Sequence, residues 1–228
     1  MTPARPDRTL SQSVLLMSWV LLVLWIIKAA EWLLGMDLSV LGVAPRTLPG
    51  LVGIPLAPLI HGSAAHLAAN SVGLLVLGAA LIYGYPKTRW KVVALVWLVS
   101  GVGVWLFARP SVHFGASGLT HGIFFYLLLS SLLRRDKRSL ALMMIAFFMF
   151  GGMIYSIFPR EMGISYESHL AGAIAGVVGA LLWWRQDPKP EVKRYDWEGQ
   201  GATDEEDPED PIGDLWRRNP DDEPPSKP

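Results

Sequence analysis

A serine set among small residues, Gly115-Ala116-Ser117-Gly118, opens an apolar run that continues through Leu119-Thr120-His121-Gly122 to Leu133. A hydroxyl at that place sits at or near a helix N-terminus, where unpaired backbone N–H groups and the helix dipole favour negative charge. A carbonyl attacked there has an environment in which to become an oxyanion. Three more polar side chains, His66, Asn70 and His169, interrupt other apolar runs. Imidazole and carboxamide groups inside a membrane are costly and face an interior or a water-filled cavity. A serine with an imidazole in reach is an activated nucleophile. His66 and Asn70 both donate hydrogen bonds, and with the Ser117 backbone N–H they make a candidate oxyanion hole. Taken alone, the tetrapeptide has a competing account: small residues that let a membrane helix pack closely.

Spacing argues for convergence. His66 and Asn70 are four residues apart and share one helical face. Ser117, Gly118, His121 and Gly122 share another. His169, Gly172, Ala173, Gly176 and Ala180 form a stripe of small residues headed by a histidine. Small-xxx-small faces let two helices approach closely in lipid. Gly118-x-x-x-Gly122 against Gly172-x-x-x-Gly176 would bring Ser117 within hydrogen-bond reach of His169. His61, five residues before His66, is expected to tie down the loop that precedes it.

The elements that must hold these residues are membrane spans. The 228 residues are 51% hydrophobic and 18% charged, which excludes a soluble domain. Six apolar segments approach the ~20 residues that cross a bilayer: about 13–34, 63–84, 90–108, 117–133, 139–158 and 167–185. The first is read as an uncleaved span, because Lys28-Ala29-Ala30 puts a lysine where a signal-peptide site needs a small residue. A Gly- and Pro-rich connection, 35–62, is too apolar for a solvated loop and is expected to lie in or near the interface. Gly151-Gly152 in the fifth span weakens that helix, so sideways opening for substrate is expected there. The absence of Cys excludes disulfides and thiolate metal sites.

Charge sets an expected orientation. With the N-terminus cytoplasmic, the short inner segments hold thirteen Lys and Arg: Arg5, Arg8, Lys87, Arg89, Lys91, Arg134, Arg135, Lys137, Arg138, Arg185, Lys189, Lys193 and Arg194. The outer loops hold three, Arg46, Arg109 and Arg160. That asymmetry predicts both termini in the cytoplasm, with the plasma (inner) membrane as the expected location. The starts of spans two, four and six then lie at one depth near the outer surface. From Asp187 onward there are 14 acidic and 6 basic residues, a balance of −8. The expected organisation is therefore a segment 1–12, a six-span domain 13–186 and a disordered acidic tail 187–228.

His61-x4-His66-x3-Asn70, then Gly-Ala-Ser-Gly, then His169-x2-Gly172-x3-Gly176 resembles the rhomboid intramembrane serine proteases over residues 13–185. The resemblance implies an all-α membrane protein, a six-helix bundle with a Ser–His dyad in a cavity open to the outer side. It implies cleavage of other membrane proteins in or near their transmembrane segments, with Ser117 as nucleophile and His169 as general base. It assigns His66 and Asn70 to the oxyanion hole, and leaves His61, Gly115, Gly118, His121, Gly172 and Gly176 as structural support. No metal, cofactor or nucleic acid is implied; the partners are transmembrane substrates and the bilayer.

The chain departs from the family pattern twice. The first long loop often carries a Trp-Arg pair, whereas here Arg46 follows Pro45. Four residues after the serine the family commonly has an aromatic ring packed on the catalytic histidine; here it is His121, which can stack in that role but adds a second titratable ring. Two rival readings come from other classes. One is a catalytically inactive rhomboid-like protein that binds membrane clients, whose sign would be loss of Ser117 or His169. The other is a metal site or transporter built on His61, His66, His121 and His169, which lacks Cys, an HExxH motif and intramembrane carboxylate ligands, since Glu31 and Glu167 sit at span ends.

Overall fold

The structure is a computed structural model that describes residues 8–159 and 165–189. Arg5, Arg160, Lys193, Arg194 and the acidic tail from residue 190 onward lie outside the described residues, so those parts of the charge argument are not addressed by it. Six long helices dominate: α1 (Leu10–Leu33), α3 (Ala64–Gly84), α4 (Arg89–Phe107), α5 (Ser117–Arg134), α6 (Lys137–Phe150) and α7 (Tyr166–Trp183), with a short α2 (Gly53–Leu56) between the first two. α1, α3, α4 and the stretch Lys137–Ile154 are long and apolar enough to cross a membrane. The protein is an all-helical integral membrane protein.

Local chemistry explains where the helices begin. Thr9 Oγ1 accepts the Gln12 N–H at 3.2 Å while Gln12 Oε1 accepts the Thr9 N–H at 2.9 Å, a reciprocal cap that starts α1 at Leu10. Residues 10–12 are thus helical rather than part of a polar leader. Ser63, Asp136 and Ser165 cap α3, α6 and α7 without the reciprocal bond, each side chain accepting a backbone N–H three residues on.

α5 is the central element. It packs against α3, α4, α6 and, most extensively, α7. Phe124, Ile123 and Leu127 of α5 are buried with Leu67, Leu77 and Leu81 of α3 and Val92 and Val96 of α4. α1 lies against α3 and turns Leu15, Trp19, Leu22 and Ile26 outward, as does α6 with Ile145, Phe148 and Met149. Apolar side chains facing out of the bundle suit lipid, where no hydrophobic cost attaches to their exposure.

The connection after α1 is a series of 3-10 turns around α2, held against the C-terminal half of α4. Its chain passes so close to itself that a Cβ on Gly53 would overlap the Gly42 backbone, and one on Gly101 of α4 would lie 2.9 Å from Ile54. Trp97 Nε1 donates to the Pro55 carbonyl at 3.2 Å, and Trp105 Nε1 to that of Thr47 at 2.8 Å. Arg46, in the left-handed region at φ 58°, donates from Nη1 to Ala108 O at 2.9 Å and to Leu106 O at 3.3 Å. The arginine therefore ties the loop to the last carbonyls of α4 without a tryptophan before it.

Two sequence expectations need correction. The fifth span is shorter than 139–158, because its α-helix stops at Phe150 and Gly151–Ile154 is a 3-10 turn. Asp187, expected to open the disordered tail, is instead buried, only 4% exposed. Its carboxylate accepts the Lys87 N–H at 2.6 Å and the Thr88 hydroxyl, both at the N-terminus of α4, while Thr88 also meets the Tyr126 hydroxyl at 2.7 Å. Arg134, at the end of α5, reciprocates by donating to the carbonyls of Trp184 (3.3 Å), Asp187 (2.8 Å) and Pro188 (3.1 Å). An anion at one helix start and a cation at another helix end both match the helix dipoles.

Candidate active site

The serine is set by the segment before it. Val43 and His113 exchange backbone hydrogen bonds of 2.8 and 3.0 Å, pinning the α4–α5 loop to the first long connection. The Gly115 N–H then donates to Ala57 O at 2.8 Å. Gly115 has φ 113°, and a Cβ there would lie 2.8 Å from His66 Cε1, so both conformation and space demand glycine. The Ala116 N–H donates to His61 Nε2 at 3.4 Å. His61 must accept through that nitrogen, which requires the neutral ring. Burial, with smaller electrostatic contributions from nearby His66 and Lys28, pushes the His61 imidazole down to about 4, consistent with that role. His61 thus braces the serine turn rather than only its own loop, and its ring also meets His66 edge-on at 5.1 Å.

Ser117 is the first residue of α5, and its hydroxyl makes no hydrogen bond among the described residues. One turn later His121 is engaged at both nitrogens: Nδ1 donates to Ser117 O at 2.7 Å, and Nε2 meets Ser156 Oγ at 2.7 Å. The His121 and His169 rings stack 3.8 Å apart and 9° from parallel. His169 Nδ1 donates to the Ser156 carbonyl at 3.0 Å. A carbonyl only accepts, so the proton of neutral His169 is on Nδ1 and Nε2 carries the lone pair. Nε2 forms no hydrogen bond among the described residues. Ser117 and His169 line one cavity of about 590 Å³ together with His66, Asn70 and His121. Asn70 is held by donation from Nδ2 to the His66 carbonyl at 3.0 Å, one turn back on α3.

The glycine faces meet as the spacing predicts. A Cβ on Gly172 would fall on the Gly118 carbonyl, and one on Gly176 on the Gly122 carbonyl. Gly122 in turn approaches Gly172 O, at 2.8 Å from an added Cβ. Backbone-to-backbone contact at two successive turns holds α5 and α7 close together. Ser117 and His169 head those two faces.

Residues 50–186 match the Rhomboid domain. The chain belongs to the rhomboid family. Its typical members are intramembrane serine proteases. Curated relatives include uncharacterized proteins of Mycobacterium tuberculosis (strain ATCC 25618 / H37Rv) and Mycobacterium bovis, each 35% identical over 170 residues, which cover 70% of this chain and 70% of the relative. A Mycobacterium leprae protein, also uncharacterized, is 34% identical over 171 residues, 70% of this chain and 67% of its own.

Sequence reasoning missed two parts of this rhomboid site. Ser156, beyond the 3-10 turn after α6, touches both stacked histidines; its only signal was a polar side chain in Met153-Ile154-Tyr155-Ser156-Ile157-Phe158. At the cavity rim, Arg109 pairs with Glu167 at 3.4 Å, and His113 Nδ1 meets Ser165 Oγ at 2.7 Å. These contacts join the α4–α5 loop to the start of α7, and nothing in the spacing of the chain linked them.

Proposed function

We propose that this rhomboid is an active serine endopeptidase that cuts membrane proteins in or near their transmembrane segments. Ser117 is the nucleophile and His169 the general base. His66, Asn70 and the Ser117 N–H stabilise the oxyanion. The observation that carries the reading is the state of His169: its Nδ1–H is spent on the Ser156 carbonyl, leaving the Nε2 lone pair without a partner among the described residues, in the cavity that also holds the Ser117 hydroxyl, likewise unbonded among them. His121 is a poor rival for the base because both its nitrogens are engaged.

Catalysis begins when Ser117 Oγ attacks the scissile carbonyl as His169 Nε2 takes its proton. The charge that develops on the carbonyl oxygen is met by N–H donors already oriented by the start of α5 and by the α3 face. His169 returns the proton to the leaving amine, which departs as the peptide bond breaks and leaves an acyl ester on Ser117. Water, deprotonated by the same nitrogen, hydrolyses that ester and restores the hydroxyl.

In this reading all six long helices cross the bilayer. α5 and α7 are the polar, glycine-lined pair shielded by the four more apolar ones, and both termini face the cytoplasm of a plasma membrane. The test is purified protein in liposomes with a generic single-span substrate. Wild type should cleave it and label with a fluorophosphonate on Ser117, whereas Ser117→Ala and His169→Ala should do neither. Intact substrate and no label with wild type would instead identify an inactive, client-binding member.

A further inference from the structure

Ser156 contacts both stacked histidines. Its carbonyl receives the His169 Nδ1–H at 3.0 Å, and its hydroxyl lies 2.7 Å from His121 Nε2. His121 Nδ1 donates to the carbonyl of Ser117 at 2.7 Å. The proton logic is closed. With its Nδ1–H committed to a carbonyl, neutral His121 can only accept at Nε2, so the Ser156 hydroxyl must donate there. The Met153 carbonyl, 3.0 Å from the same hydroxyl, is its alternative acceptor if that donation is lost.

We propose that Ser156 is a positioning residue of the catalytic base, holding the tautomer and tilt of His169 directly and through the stacked His121. The inference rests on the Ser117–His169 pair proposed above. One short segment thereby fixes the backbone of the nucleophile, the ring beneath the base and the base itself. That segment is not a helix interior: α6 has ended at Phe150, and an added Cβ on Gly152 would meet nothing within 4 Å. Phe150 and Met153, on its cavity side, are among the residues that line the space a substrate would enter. A substrate pressing on this segment therefore presses on the support of the base. Two contacts from one serine resist that displacement.

The experiment compares kcat and KM for a single-span substrate in wild type, Ser156→Ala, Ser156→Thr, His121→Phe and the Ser156→Ala/His121→Phe pair, with thermal unfolding of each. Ser156→Ala removes the hydroxyl but keeps the carbonyl. It should lower kcat on the order of tenfold with KM little changed, since the base is tilted rather than lost. Ser156→Thr, which keeps the hydroxyl, should recover most of that rate. In the His121→Phe background, whose own rate is the reference, Ser156→Ala should add no further loss, because the ring it steers no longer has a nitrogen to bond. Should Ser156→Ala not fold, Ser156→Cys, near in shape and a weak donor, is expected to lose kcat in the same direction. Wild-type kcat in Ser156→Ala or Ser156→Cys, or equal losses in both His121 backgrounds, overturns this inference alone. A wild type that neither cleaves nor labels overturns the protease reading and this inference together.

Discussion

Gly172→Ala adds a single methyl group at the point where α5 and α7 touch. The new Cβ would lie 2.9 Å from the Gly118 carbonyl carbon and nearer still to its oxygen, where ordinary contact begins at 3.4 Å. Both obstructing atoms are backbone, so no side chain can swing aside. α7 must retreat by at least 0.5 Å from the carbon, and by about 1.3 Å to clear the oxygen. Gly118 is the residue after Ser117, and His169 is three residues before Gly172 on the same helix, so the retreat is passed almost whole to the separation of the two groups. Misplacing a reacting group by ~1 Å costs on the order of 100-fold in rate. Overpacking of this kind also costs about 1–3 kcal/mol in stability. The assay is kcat/KM on a single-span substrate together with the rate of fluorophosphonate labelling at Ser117. Gly152→Ala, where the same methyl meets open space, is the control and should not lower the unfolding temperature. Activity of Gly172→Ala within about twofold of wild type would refute the argument that this contact sets the geometry of the site.

Acid should weaken the support of the serine turn. His61 is held neutral in the fold to about 4, whereas the unfolded chain takes up its proton near the ordinary 6.5. The unfolded state therefore binds more protons between those values, so stability is full above 6.5 and is lost as pH falls toward 4, on the order of 1–3 kcal/mol. His61→Asn keeps an acceptor for the Ala116 N–H and should flatten the fall in unfolding temperature over that window; an unchanged slope would place the acid sensitivity elsewhere. Truncation should separate the buried Asp187 from the acidic residues beyond it. A chain ending after Lys189 should unfold at the wild-type temperature, while one ending after Gln186, or carrying Asp187→Ala, should lose about 1–3 kcal/mol because the start of α4 and the Arg134 guanidinium lose their partners. Equal unfolding temperatures for the two truncations would show that Asp187 contributes nothing to the fold.

Much of this protein is legible in one dimension because a membrane makes hydrophobicity and charge into position. The apolar runs are the long helices, to within a few residues at α3, α4 and α7. The small-residue periodicity of Gly118, Gly122, Gly172 and Gly176 names the helix pair that touches, because only glycine permits backbone contact at successive turns. The positions of Ser117, His66, Asn70 and His169 at three helix starts come from the same pattern.

What spacing could not decide is which atoms bond. The α-helix of the fifth span stops at Phe150 although its apolar run continues, since hydrophobicity does not separate an α-helix from a 3-10 turn. Asp187 looks like the first residue of an acidic tail, and only the fold brings Lys87, Thr88 and Arg134 around it from elements 53 to 100 residues away. The family resemblance separates His169 from His121 by motif alone, and the hydrogen bonds that distinguish the two rings come from Ser156 and Ser117. The Ser156 carbonyl claims one nitrogen of His169 and leaves the lone pair of the other, while the Ser156 hydroxyl and the Ser117 carbonyl engage both nitrogens of His121. A hydrogen bond has direction and a donor, and neither is encoded by residue spacing until the chain has closed around it.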